Sequence, residues 1–191
     1  MLYTTVKTLV KSYYHTRFKI TVVGQDRIPK TGPVIICSNH ISEYDPPLVA
    51  TSVEREMSFF AKSELFKIPV LGYLISRLNA LPVERGKSDR AALKKSIEVL
   101  GEGNMMLVFP EGSRSKTGKL QNLQQGASFM AVKSGAQIVP TAIKGSYDRK
   151  KGVTIVFGKP IDTKALVEDG MNRKDVTLKI TEDINNLLFS D

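Results

Sequence analysis

Metal-ligating side chains are scarce in this chain. One cysteine and two histidines among 191 residues leave too few thiolate and imidazole donors for a zinc site. The single cysteine also excludes an internal disulfide framework, and Cys37, set inside an apolar run, fits a packing role in a reducing compartment. No stretch approaches the ~20 consecutive apolar residues of a spanning helix, and the first residues lack the unbroken apolar core of a signal peptide. The expectation is a chain that does not cross a membrane, with lying on one left open. Low-complexity tracts and internal repeats are missing too. Hydrophobic residues at 41% and charged residues at 25% are globular values, and this length suits one domain with a substantial core.

Nucleotide motifs are equally absent. Glu111-Gly112-Ser113-Arg114-Ser115-Lys116-Thr117-Gly118-Lys119-Leu120 approaches a P-loop but fails on spacing. Five residues, not four, separate Gly112 from Gly118-Lys119, and Leu120 replaces the hydroxyl that would hold magnesium. There is no Gly-x-Ser-x-Gly nucleophile elbow and no dinucleotide fingerprint. What is present is positive charge, 28 basic against 19 acidic residues for a net +9. That balance favours polyanions: nucleic acid, phosphorylated metabolites or acidic membrane.

Periodicity orders the chain as strands alternating with helices. Apolar runs near 19–23, 33–38, 57–61, 80–83, 105–109 and 137–143 predict strands, and 153–157 predicts a strand at a sheet edge. Helical spacing appears from Asp45, from Pro69, from a Ser88 cap to Gly101, over 125–135 and over 173–189. This pattern predicts an α/β sandwich, a single domain with a central mixed β-sheet flanked by helices. Residues 1–18 add a basic amphipathic helix, with Leu2, Val6, Leu9, Val10, Tyr13 and Tyr14 on one side and Lys7, Lys11, His15 and Arg17 largely on another. It can pack on the core or lie in a lipid interface; aromatic residues beside lysines favour the lipid. The division is therefore 1–18, an amphipathic interfacial helix, and 19–191, the main domain.

The candidate chemistry sits just past strand ends, where open α/β sheets bind ligands. His40 follows the run 33–38, and Asp45, five residues on, is the expected N-cap of the next helix. A carboxylate can hold one ring nitrogen and leave the other to accept a proton. The alternative is a histidine that packs or caps a turn. Arg85 and Arg114 also follow strands, and a guanidinium suits phosphate through paired hydrogen bonds. A lone base, loop arginines and no protein nucleophile suggest that the nucleophile belongs to the substrate.

Asn39-His40-(four residues)-Asp45, Val83-Glu84-Arg85, Phe109-Pro110-Glu111-Gly112-Ser113-Arg114-Ser115 and Ile138-Val139-Pro140 resemble, in this order, the four motif blocks of the glycerolipid acyltransferases, specifically the 1-acylglycerol-3-phosphate O-acyltransferases. The likeness covers roughly residues 33–145, with the Phe-Pro-Glu-Gly block the most specific. It implies transfer of a fatty acyl group from acyl carrier protein or coenzyme A to the sn-2 hydroxyl of lysophosphatidic acid, giving phosphatidic acid, a step of phospholipid biosynthesis. It further implies His40 as general base, Asp45 as its partner, and Arg85, Glu111, Gly112 and Arg114 as acceptor-binding residues. No metal or cofactor is expected beyond the acyl thioester co-substrate. The implied setting is peripheral, on the cytoplasmic face of a membrane with anionic lipid. One departure is Asn79, where the second block usually begins with glycine.

Other readings stay open on sequence alone. Another lysophospholipid or glycerol-3-phosphate could be the acceptor, or the His–Asp pair could activate water in a hydrolase. A nucleic-acid binder is motivated by the basic run Lys144–Lys151. It is disfavoured by the lack of a helix-turn-helix or zinc pattern and by the scarcity of aromatic residues beside the cations, so nucleic acid is not an expected partner.

Overall fold

The computed structural model describes residues 2–84, 89–115 and 117–190. Seven strands form one sheet: β1 (Ile20–Val23), β2 (Val34–Ser38), β3 (Met57–Lys62), β4 (Ala80–Val83), β5 (Met105–Val108), β6 (Gln137–Gly145) and β7 (Val153–Phe157). Their order is β1-β7-β6-β2-β5-β3-β4. The five strands from β6 to β4 are mutually parallel, whereas β7 runs antiparallel to β6 and β1 parallel to β7. The sheet is mixed, as the alternation of strands and helices predicts.

Strand β2 is central because both its faces are apolar. Val34 and Ile36 enter one core cluster and Ile35 and Cys37 the other, all fully buried. The first cluster is covered by α1 (Leu2–Arg17) and α2 (Asp45–Ser52), through Tyr14, Leu48 and Val49. The second is covered by α4 (Arg90–Gly101), α5 (Gly126–Ser134) and α7 (Arg173–Phe189), through Leu100, Met130, Val176, Ile180 and Ile184. Helix α3 (Leu71–Arg77) and the short α6 (Thr163–Glu168) complete the set. The α6 segment was not anticipated, although the Asp162 side chain caps it by accepting from the Lys164 and Ala165 N–H groups.

Two expectations change, and a third falls outside the described residues. Strand β7 is not the edge; β1 lies outside it, and β7 is buried on nearly every residue. Its flanking glycines mark turns, which internal strands also need. Asp45 does not cap α2 but is its first residue, after Tyr44. The Ser88 cap falls outside the described residues, and the cap of α4 is Asp89, whose carboxylate accepts from Ala92 N.

Helix α1 is divided between two surroundings. Tyr3 and Tyr14 are buried against the body, while Leu2, Leu9 and Tyr13 point outward. Lys7, expected on a cationic outer face, is turned inward and donates to the carbonyls of Val53 and Glu54 at 2.6 and 2.9 Å, just past the end of α2. Those carbonyls lack helical partners, and a cation at a helix C-terminus also meets a favourable dipole.

Candidate active site

The topology itself places the site. Strand β2 has β5 on one side and β6 on the other, all parallel, so the segments leaving their C-terminal ends meet on one rim. Chain direction also diverges here, since β2 leads through α2 to β3 while β5 leads through α5 to β6 on the opposite side. Such a switch point opens a crevice beyond the strand ends.

Asn39 extends β2 with its side chain. Its amide donates to Ile143 O at 2.9 Å and its carbonyl oxygen accepts from Ile143 N at 2.7 Å, continuing the pairing with β6. This anchors the turn that presents His40. The His40 N–H donates to Glu111 Oε1 at 2.7 Å, its carbonyl accepts from Ser115 N at 2.7 Å, and its ring stacks on Phe109 with centroids 4.0 Å apart. The segment after β5 therefore grips this residue by backbone and ring alike.

Asp45 is fully buried, and four donors serve its carboxylate. Oδ2 accepts from His40 Nδ1 at 2.8 Å and from the N–H groups of Ile41 and Ser42 at 2.7 Å each. Oδ1 accepts from the Tyr147 hydroxyl at 2.7 Å. A buried carboxylate needs such partners to remain charged. With Nδ1–H committed to Asp45, Nε2 is the ring nitrogen able to accept a proton from outside.

A cleft of about 670 Å³ opens beside His40. Phe59, Phe60, Val83, Leu93, Leu107 and Met130 supply apolar wall, and Lys62 and Gln124 supply polar groups. Gly112 lines it with φ near +72°, a left-handed conformation that favours glycine, and a Cβ there would push aside the movable end of the Gln124 side chain. Glu111 is buried, and its second oxygen accepts from Gln121 N at 2.9 Å. Both its oxygens thus hold backbone, which makes it a brace for the His40 turn. Arg114 is exposed and pairs with exposed Glu43 at 3.6 Å, outside the residues lining the cleft. Arg85 lies outside the described residues.

Asn79 is explained by its backbone. It adopts φ near +62°, the left-handed region where glycine is favoured and asparagine is the best-tolerated substitute. The geometry that glycine would supply at this position is kept.

Residues 19–144 match the acyltransferase family. The chain belongs to that family. Among its relatives, the chloroplastic 1-acyl-sn-glycerol-3-phosphate acyltransferase LPAT1 of Arabidopsis thaliana is 33% identical over 132 residues, 68% of this chain and 37% of that protein. The 1-acyl-sn-glycerol-3-phosphate acyltransferase of Borreliella burgdorferi is 34% identical over 127 residues, 65% of this chain and 51% of that one. The chain thus spans about two-fifths to one half of the length of these relatives. Among solved structures, the 1-acyl-sn-glycerophosphate acyltransferase PlsC of Thermotoga maritima superposes with a TM-score of 0.80 at 27% identity, covering 97% of this chain and 78% of that one.

Reasoning from strand ends put His40, Arg85 and Arg114 on one rim, with Asp45 beside the histidine, and the family resemblance added Glu111 and Gly112. The fold brings His40, Asp45, Glu111 and Gly112 together and leaves Arg114 outside the cleft lining, while Arg85 lies outside the described residues. Sequence reasoning missed Tyr147, which follows β6 and carries no local signal, and the ring contact of Phe109. Lys62 was also missed; its position at the end of a predicted strand was the available clue.

Proposed function

We propose that this chain transfers a fatty acyl group from an acyl thioester, on acyl carrier protein or coenzyme A, to the sn-2 hydroxyl of 1-acylglycerol-3-phosphate. The observation that carries the reading is the His40–Asp45 pair at the mouth of a cleft with an apolar wall. His40 Nε2 takes the proton of the acceptor hydroxyl as that oxygen attacks the thioester carbonyl, and Asp45 stabilises the imidazolium that forms. The thiolate then leaves with the proton returned by His40, so neither a metal nor a covalent enzyme intermediate is required. The apolar wall suits an acyl chain. Arg85 and Arg114 are assigned to the acceptor phosphate; an exposed ion pair such as Arg114–Glu43 is worth little, so a phosphate can displace Glu43. Glu111 acts through the His40 turn and Gly112 through its backbone.

A lipid substrate requires a lipid surface. The reading takes residues 1–18 as an interfacial element on the 19–191 acyltransferase domain. Leu2, Leu9 and Tyr13 provide exposed apolar contact, and Lys11 and Arg17 provide charge. A second candidate contact follows β3, where Ile68, Val70, Leu71 and Tyr73 are exposed near Lys62, Lys67 and Arg77. Val70, 82% exposed, centres a tight turn with φ 63° and ψ −56°, closed by Leu71 N donating to Pro69 O at 2.6 Å. Such a turn is strained for a β-branched residue, yet it thrusts an apolar side chain outward. Among the described residues no helix is long and apolar enough to cross a membrane.

The test offers radiolabelled acyl-coenzyme A and acyl-carrier protein to the purified protein with lysophosphatidic acid, glycerol-3-phosphate or lysophosphatidylcholine in parallel. Acceptor-dependent phosphatidic acid is expected. Turnover only with another acceptor redirects the specificity, release of free fatty acid without acceptor indicates a hydrolase, and no turnover removes the reading.

A further inference from the structure

Nothing in the acyl-transfer reading uses Tyr147. It lies 102 residues beyond Asp45 in sequence, in the segment after β6, yet its hydroxyl reaches Asp45 Oδ1 at 2.7 Å. We propose that Tyr147 is a positioning residue for His40, fixing the Asp45 carboxylate plane so that tyrosine, aspartate and histidine work as one unit. The inference rests on the acyl-transfer reading above.

The geometry separates two tasks on one carboxylate. All three donors to Oδ2, the ring of His40 and the N–H groups of Ile41 and Ser42, belong to the single turn 40–42. They hold one oxygen from a single turn. Tyr147, arriving from a different strand, locates the second oxygen. Two anchored oxygens, with the covalent attachment at Cβ as the third point, hold the carboxylate plane that orients the imidazole. Without the phenol, Oδ1 would be a buried acceptor lacking a partner among the described residues.

The tyrosine is itself held. Its ring lies 5.3 Å from Phe18 and 5.3 Å from Tyr44, and Tyr14 completes the group against both neighbours. Arg149, two residues on, donates to Thr16 O at 3.0 Å and ties this segment to the end of α1. Burial, and after it the Asp45 charge, push the Tyr147 phenol well above its ordinary range. It therefore stays a donor throughout the working pH range. The other titratable or charged groups around the unit are Tyr14 and Tyr44 on the ring side, Asp148 beside the tyrosine, and Arg17 over Phe18. Glu111 lies at the His40 backbone, the Glu43–Arg114 pair at the rim, and Lys62 in the cleft.

A phenol donor also draws charge from the carboxylate, so its removal should make Asp45 a stronger partner for the imidazolium while loosening its orientation. Tyr147→Phe keeps the ring and deletes only the hydroxyl. Expected are a fall in kcat of about ten-fold with the acceptor KM within about two-fold, since the lost contact orients the base and touches no substrate. The acid limb of the pH–rate profile should move upward by ~0.5 unit or more. His40 titration by NMR, with His15 as internal reference, should move the same way and needs no turnover. Tyr44→Phe, which removes a hydroxyl from the same ring group without a hydrogen bond to Asp45, should change none of these. A Tyr147→Phe protein with kcat and His40 titration both unchanged overturns the proposal, as does a His40 shift without a fall in kcat. On the wild-type protein, the Tyr147 ring carbon signals should stay protonated through pH 11. Ionisation in the ordinary phenol range would overturn the proposal even if the variant failed to fold. Absence of acyl transfer by the wild type defeats the functional reading, and the two NMR titrations then decide the Tyr147 contact separately.

Discussion

At the residue scale, the site is built almost entirely from hydrogen bonds to backbone. Asp45 collects two N–H groups besides its side-chain partners, Glu111 collects two, and Asn39 bridges both polar groups of Ile143. Among the described residues, His40 and Gly112 are the site residues implied by the family resemblance that line the cleft. Under the proposed mechanism, replacing His40 with alanine should lower acyl transfer ~10²–10⁴-fold without unfolding the protein, because the turn keeps its backbone bonds to Glu111 and Ser115 when the ring and its stacking on Phe109 are lost. Asp45→Asn should be comparably severe, an amide being able to hold the ring in the wrong tautomer. Steady-state rates alongside thermal melts check both, and near-normal rates in either would refute the assignment. Arg114→Ala should raise the acceptor KM ten-fold or more with the donor KM unmoved, since a charge-assisted hydrogen bond contributes ~1.5–3 kcal/mol. A rise in donor KM instead would reverse the two ends of the cleft.

At the element scale, Asn39 makes β2 effectively one residue longer and joins it to β6. Truncation to alanine leaves the buried N–H and C=O of Ile143 without partners, at about 1–3 kcal/mol each. For a chain of this size that corresponds to a Tm lower by roughly 4–24 °C, and a melt within 2 °C of wild type would contradict the bridge. Helix α1 requires a sharper experiment than deletion. Removing residues 1–17 would strip Tyr14 from the core and Lys7 from the carbonyls of Val53 and Glu54, so loss of activity would report unfolding. Leu9→Glu and Val70→Glu change only exposed side chains. Each should reduce sedimentation with vesicles containing anionic lipid while leaving the Tm in place. If only Leu9→Glu does so, the turn at Val70 is not a membrane contact. The boundaries of most strands and helices were legible in sequence because each apolar run had one period and a glycine, proline or cap at its end. The edge position given to β7 was not legible, because strand order depends on which distant partner an edge accepts.

At the scale of the whole molecule, burial and charge give the last test. Cys37 is fully buried in the central strand, and burial pushes its thiol well above the ordinary value. Thiol labelling in native buffer should proceed only as fast as the molecule opens globally, and rapid labelling would place β2 at a frayed edge. A net charge of +9 should make vesicle binding weaken steeply with salt. Composition, periodicity and the ordered motif blocks were enough to determine an α/β chain, its family and the rim on which His40 and Asp45 stand. Those signals are local, since the period of an apolar run and the residues that end it are written within ten or fifteen positions. The fold alone decided that Glu111 braces the histidine turn, that Lys7 turns inward, and that Tyr147 reaches Asp45 across 102 residues. Each of those contacts joins separate segments. They form because parallel β2, β5 and β6 deliver their C-terminal ends to one edge, and because a buried carboxylate must be surrounded by donors from wherever the chain can bring them.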